Sequence, residues 1–266
     1  MGTVTIQKQD FAQTLARGLS CLEVLAGAAL PLTCTEVAKA MNVSRAAARR
    51  VLLTLQHLGY TSEERGVYAS SPKVLSLGRS VLGKNSLWST VAPEVIALSN
   101  QFNEPCSISV LEGLDILFVS RDSARRIYSA RLGVGDRLPA YCSASGKMLL
   151  SLLPEKDLTT VLSGVTLPSR GPAALRDVRA LKAALRRVRA ADFALAVDEM
   201  EEGTISIGVP IRECDGRAIA AMSVASHRSR RSPAYLKKSV LPPLRAAATR
   251  VEAIVRDFQD RKWTAF

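Results

Sequence analysis

Three arginines stand in the segment 42–60, NVSRAAARRVLLTLQHLGY, and no carboxylate accompanies them. Stepping 100° per residue places Ala46, Arg49 and Arg50 on one arc of a helix, with Arg45 at its edge. Ala48, Val51, Leu52, Leu55 and Leu58 fall on the apolar arc opposite. Guanidinium groups gathered this way can fork onto phosphates or onto the edge of a guanine. The small Ala46 lets the helix backbone come close to such a surface. Between Glu36 and Glu63 the chain holds Lys39, Arg45, Arg49 and Arg50 and neither Asp nor Glu, so a polyanion meets no repulsion there.

A second stretch with chemical potential is Tyr141-Cys-Ser-Ala-Ser-Gly146, which leads into an apolar helical pattern from Ala144 to Leu153. Free N–H groups and hydroxyls at a helix start suit a carboxylate ligand. They can also serve catalysis, but the spacing argues against it. The run Ser143-Ala-Ser-Gly-Lys147 is not S-x-x-K, no G-x-S-x-G is present, and His57 and His227 are remote in sequence from these serines. Gly146-Lys147-Met148 lacks the Ser or Thr that ends a phosphate-binding loop. With two histidines, and with Cys21, Cys34, Cys106, Cys142 and Cys214 forming no C-x-x-C pair, neither a metal site nor another cofactor is expected. The odd cysteine count fits reduced thiols in a cytoplasm.

The arginine-bearing helix needs local supports, and these are legible. Apolar Phe11, Leu15, Leu22 and Leu25 predict a first helix ending near Gly27. Thr33-Cys-Thr-Glu36 has the form of a capping box, which starts a short second helix. Ser44 can cap the third. Beyond it, GYTSEERGVYAS alternates and turns at 63–66, which predicts a two-stranded hairpin. Short helix, turn, longer helix and hairpin is the order of a winged helix-turn-helix, whose last helix enters the major groove. A helical subdomain whose arginines simply stay wet is the plainer reading of the same pattern.

Composition bounds the partners. The chain has 266 residues, a formal net charge of +12 and 47% apolar residues. This favours nucleic acid, an acidic surface or small anions as counterparts. The charge is spread out: residues 1–90 hold ten Lys and Arg against five Asp and Glu, and residues 91–266 hold twenty-six against nineteen. No signal peptide and no span of membrane-crossing length is found, so a cytoplasmic protein without membrane contact is expected. After Trp88 the pattern mixes strands and helices. A helix around 91–102 precedes the strand-like CSISVLEG, DILFVSRD and RIYSARL. A long basic helix in PAALRDVRALKAALRRVRAADF, with a solvated face, precedes the strands LAVDEM, GTISIGVPI and RAIAAMSVAS. A closing helix is interrupted at Pro242-Pro243. This predicts one α/β sheet covered by helices.

With VSRAAARRVLLTLQHLGY followed by VYASSPKVLSLGRSVL, the chain resembles the IclR family of bacterial transcription regulators, in particular the branch controlling aromatic-acid catabolism through the β-ketoadipate pathway. The likeness continues through FAQTLARGLSCLEVL, GVGDRLPAYCSASGKMLLS, VDEMEEGTISIGVPI and GRAIAAMSVAS. It implies an α/β two-domain protein: a winged helix-turn-helix over 1–71, a linker helix over 72–90 and a GAF- or PAS-like effector-binding α/β domain over 91–266. Ser71-Pro72 suits the linker's start, and Val74, Leu75, Leu77, Val81 and Leu82 give it apolar surface.

Double-stranded operator DNA and a small anionic metabolite are the partners the resemblance implies, with the chain acting as a homodimer or homotetramer. DNA contacts are expected from Ser44, Arg45, Ala46, Arg49 and Arg50, and from Arg65 on the hairpin. Effector contacts carried over by position are Ser143, Ala144, Ser145, Gly146, Asp198 and Ser223. Ser206 joins them from its place in an alternating strand. Ala225 stands where some members have a second serine. The rival functions are a non-specific architectural DNA-binding protein, which has no use for a large second domain, and a serine-dependent enzyme.

Overall fold

The computed structural model describes residues 7–78, 83, 86–123 and 132–263. The chain divides into two compact units, Met1–Ser80 and Val81–Phe266.

In the first unit, α1 (Gln13–Gly27), α2 (Cys34–Ala40) and α3 (Arg45–His57) pack around Cys21, Leu25, Val37, Ala48, Leu52 and Leu55. The local signals act as expected at the starts of α2 and α3. Thr33 Oγ1 accepts from the Glu36 N–H while the Glu36 carboxylate accepts from the Thr33 N–H, closing the box. The Thr33 N–H first, and the Thr33 hydroxyl second, both donating to the Glu36 carboxylate, hold it below its ordinary pKa. Ser44 Oγ accepts from Ala47 N–H at 3.2 Å and starts α3.

β2 (Thr61–Glu64) and β3 (Val67–Ser70) form the hairpin, with β1 (Leu32–Thr33) added to its other edge. Its two-residue turn has φ of 52° at Arg65 and 85° at Gly66, the positive pair that matches strand twist. Two expectations need correction. Leu58 is 49% exposed because α3 ends at His57 and the chain turns away at Gly59. Phe11 and Leu15 are 50% and 63% exposed, and Phe11 precedes α1, which begins at Gln13.

Ser71 caps a 3-10 turn at Pro72–Ser76. Of the apolar residues assigned to the linker, Leu75 and Leu77 are exposed; Val81 and Leu82 lie outside the described residues.

The second unit is built on a six-stranded sheet of order β6-β5-β4-β9-β8-β7, antiparallel throughout: β4 (Cys106–Glu112), β5 (Asp115–Asp122), β6 (Arg137–Pro139), β7 (Ala194–Val197), β8 (Thr204–Arg212) and β9 (Ala218–His227). Most of RIYSARL falls outside the described residues. One sheet face packs on α4 (Leu87–Phe102) and on α8 (Leu241–Trp263) through Val91, Leu98, Ile108, Ile207, Met222 and Leu244. The other meets α5 (Ala144–Leu152), α6 (Glu155–Val161) and α7 (Val178–Ala191) through Phe118, Met148, Leu150, Leu158, Leu181 and Leu185.

α7 buries Leu181 and Leu185 and leaves Arg179, Arg186, Arg187 and Arg189 in solvent, as its pattern predicts. The closing helix is not broken at its prolines. One π-turn, Leu236–Val240, leads into α8, and Pro242 and Pro243 occupy its first turn, where a missing N–H costs little.

Candidate functional sites

In the first unit, Ser44, Arg45, Ala46, Arg49 and Arg50 are all exposed on α3, as is Arg65 at the hairpin tip. Among the described residues, none of these four arginines forms an ion pair. The nearest cation after the hairpin, Lys73, is differently placed. Its ammonium donates to the Leu58 carbonyl at 2.8 Å and lies 4.9 Å from the Tyr60 ring centre. The α3 arginines are therefore uncompensated charges on an accessible helix face, a suitable surface for a duplex backbone.

In the second unit, a cleft of about 830 Å³ opens on the α5 side of the sheet. Its floor is a lateral row. Arg121 on β5 is opposite Ser107 on β4, Ser107 is opposite Ser223 on β9, and Ser223 is opposite Gly208 on β8. Directly opposed residues share a sheet face. The α5 N-terminus sits on this row because Gly208 has no side chain: a Cβ there would lie 3.1 Å from Ser145 N. Ser145 Oγ consequently reaches Ser223 Oγ at 2.8 Å, and Ser223 Oγ lies 3.2 Å from Ser107 Oγ.

Five of the seven residues expected at an effector line this cleft: Ser143, Ala144, Ser145, Ser206 and Ser223. Ser143 spends one lone pair capping α5, accepting from Gly146 N–H at 3.1 Å. Gly146 and Asp198 stand outside the lining. Gly146 turns its α-carbon onto the backbone of Ala140. Asp198, with φ of 54°, accepts from Gly203 N–H at 2.7 Å and pairs with Arg228 at 2.5 Å, which ties down the loop after β7.

The lining also includes residues that sequence reasoning did not single out: Phe118, Arg121, Cys142, Met200 and Arg230. Cys142 is a packing thiol, pushed up to about 11 by burial first and by Glu199 second, and so is protonated at neutral pH. Arg230 is neutralised by the buried Glu104 carboxylate at 3.0 Å. Arg121 is different. It is half-buried, its Nε donates to the Leu132 carbonyl at 3.0 Å and its guanidinium carbon lies 4.9 Å from the Phe118 ring centre. Burial lowers its pKa, partly offset by Cys106 and Asp136. Among the described residues, no carboxylate pairs with it.

No cluster of three potential metal ligands and no helix long and apolar enough to cross a membrane is found among the described residues. Residues 14–65 match the IclR helix-turn-helix domain, and residues 79–253 match the C-terminal domain of the bacterial transcriptional regulator IclR. The chain belongs to the IclR family. It is thus a transcriptional regulator, not an enzyme, with a DNA-binding helix-turn-helix and a domain that binds a small-molecule effector.

Among its relatives, the Pca regulon regulatory protein of Pseudomonas putida is 35% identical over 240 residues, covering 90% of this chain and 82% of its own. The p-hydroxybenzoate hydroxylase transcriptional activator of Acinetobacter baylyi is 31% identical, covering 94% of each chain. The solved structure of an IclR homolog from Microbacterium hydrocarbonoxydans, complexed with 4-hydroxybenzoate, superposes with a TM-score of 0.74. It is 26% identical and covers 91% of this chain and 98% of its own. These relatives place this IclR-family chain close to the regulators of aromatic-acid catabolism.

Proposed function

We propose that this regulator reads its operator with the Ser44–Arg50 face of α3 and senses an aromatic carboxylate in the cleft above the Arg121–Ser107–Ser223 row. Residues 72–90 connect the reading and sensing domains, and the chain works as a homodimer or homotetramer in the cytoplasm. The observation that carries the ligand class is Arg121, a half-dehydrated cation with no carboxylate ion-paired to it among the described residues, set beside an aromatic ring in a cleft with a hydroxyl-lined floor. Such a cation is stabilised by an anion, and apolar lining such as Phe118, Leu138 and Met200 favours a ring over a small polar metabolite. The 4-hydroxybenzoate held by the Microbacterium homolog supports the same class. The effector acts through its differential affinity for the protein's conformations, which bounds the shift it can cause.

The ligand class is tested by calorimetric titration with benzoate and its hydroxylated derivatives. Saturable binding is expected. Binding of aliphatic acids alone would refute the aromatic class.

For the DNA face, Arg49→Ala is expected to weaken binding to the operator beside the protein's own gene by about 1–3 kcal/mol, roughly 5- to 150-fold. Affinity for unrelated duplex should fall far less. Footprints and fluorescence anisotropy at fixed salt check this. An equal loss on both duplexes would assign Arg49 to phosphates, and unchanged protection would remove it from the interface.

A further inference from the structure

The cleft has two polar poles, and their placement assigns the orientation of the ligand. This inference rests on the aromatic-carboxylate reading above and goes further, to which end of the molecule each pole takes.

At one pole, Arg121 has committed its Nε to Leu132. Its Nη1 and Nη2 fork has no carboxylate partner among the described residues, and that fork is the geometry for a bidentate carboxylate. The Phe118 ring covers one face of the guanidinium and holds its plane. Other cations on the cleft compete poorly. Arg230 already gives both Nε and Nη2 to Glu104, and Arg170 is exposed, so water screens it.

At the other pole, three buried hydroxyls, Ser107, Ser145 and Ser223, share two hydrogen bonds. Three hydroxyl hydrogens serve two bonds, which leaves one hydrogen, on Ser107 or Ser223, to donate to a ligand. The same oxygens retain lone pairs to accept from one. This chain of hydroxyls suits a neutral group that both donates and accepts, such as a phenol. It is a weaker partner for a carboxylate than the Arg121 guanidinium fork.

Arg121 and Ser223 are two strands apart on one row. That is about 10 Å between strand axes. The guanidinium is tethered to Leu132, a residue of the chain segment leading into the edge strand β6, and so leans away from the serines. Ser107, directly opposite Arg121, lies only one strand spacing from it, so the end of the hydroxyl chain that a substituent held by Arg121 cannot reach is Ser223 with Ser145. A benzene ring carrying its polar groups at opposite ends can reach it, with a hydrogen bond of about 2.8 Å at each end.

We propose that Arg121 takes the carboxylate and the Ser223–Ser145 end of the hydroxyl chain takes a para substituent, so the site selects para-hydroxylated aromatic acids over ortho-hydroxylated ones.

The test is a ligand-by-variant cycle measured by titration calorimetry on the full-length protein, with benzoate, phenol, 2-hydroxybenzoate and 4-hydroxybenzoate as probes. On the wild type, 4-hydroxybenzoate should bind about tenfold or more tighter than 2-hydroxybenzoate. Arg121→Met should weaken benzoate and 4-hydroxybenzoate alike by about tenfold or more and leave phenol nearly unchanged. Ser223→Ala should weaken 4-hydroxybenzoate and phenol by roughly 2- to 12-fold while leaving benzoate within about twofold.

Equal binding of the two hydroxybenzoates by the wild type overturns the proposal without any variant. Loss of benzoate on Ser223→Ala and not on Arg121→Met would show the reverse orientation and overturn it too. Absence of binding by every acid overturns the ligand class itself, an outcome distinct from binding with the loss on the wrong variant.

Discussion

Lys147→Ala is expected to cost about 3–5 kcal/mol of stability in the effector-binding domain, the range for stranding one partner of a buried ion pair. Lys147 is 4% exposed on α5. Its ammonium donates to the Leu195 carbonyl at 2.9 Å and to the Glu199 carboxylate. Glu199 is itself largely buried, and its Oε2 has no hydrogen-bond partner. Removing the lysine leaves that carboxylate in a low-dielectric site with no other ion-pair partner among the described residues.

The loss should be mostly conditional on the carboxylate. Lys147→Met combined with Glu199→Leu removes both charges while keeping volume, and is expected to recover most of the stability. Urea unfolding of both variants at neutral pH checks this. A double variant as unstable as Lys147→Ala would mean that packing, not desolvation, sets the cost. The pair also anchors the loop after β7, whose Met200, Glu201 and Glu202 line the cleft, so Lys147→Ala should weaken effector binding along with stability.

The difference between what could and could not be read from the sequence follows the range of the interactions. Thr33, Glu36 and Ser44 act on backbone within three residues, so their spacing reveals their bonds. The hairpin is legible for the same reason, though the sequence puts its turn at 63–66 and the structure keeps Glu63 and Glu64 in β2 and turns at Arg65-Gly66 alone. Leu58 is misread because helical periodicity does not know where the helix stops.

The cleft is assembled from all six strands of the sheet and α5, and the pairing of Ser107 with Ser223 spans 116 positions. Arg121 is hidden by a further effect. Ile116 and Phe118 face the cleft, and strict alternation sends residue 121 to the opposite face. A bulge opposite Ile108 and Ser109 leaves Val119 unpaired and shifts the phase by one, returning Arg121 to the cleft beside Ser107. Nothing local in DILFVSRD marks that insertion. Asp198 illustrates the converse. Its place in the VDEM segment is plain, but its positive φ and its bonds to Gly203 and Arg228 depend on the folded loop.

Gly146 carries the remaining large prediction, because there the usual sign of a substitution reverses. In an open helix position Gly→Ala stabilises by up to about 1 kcal/mol. Gly18 in α1 has nothing within 4 Å of where a Cβ would sit, so Gly18→Ala should show that gain. At Gly146 the same methyl would lie 2.2 Å from Ala140 Cα and 2.3 Å from its carbonyl oxygen. Both are backbone atoms of a buried turn and cannot rotate away.

Gly146→Ala must therefore push the Ala140–Cys142 turn off α5, at an expected cost of about 3 kcal/mol. That turn leads straight into Cys142 and Ser143 in the cleft lining, so effector affinity should fall with stability. Thermal unfolding with and without ligand separates two roles for this glycine. A protein that is destabilised and also binds poorly fits the close approach of two backbones. A variant as stable as the wild type that no longer binds would instead make Gly146 a direct ligand contact, reached by a rearrangement of α5.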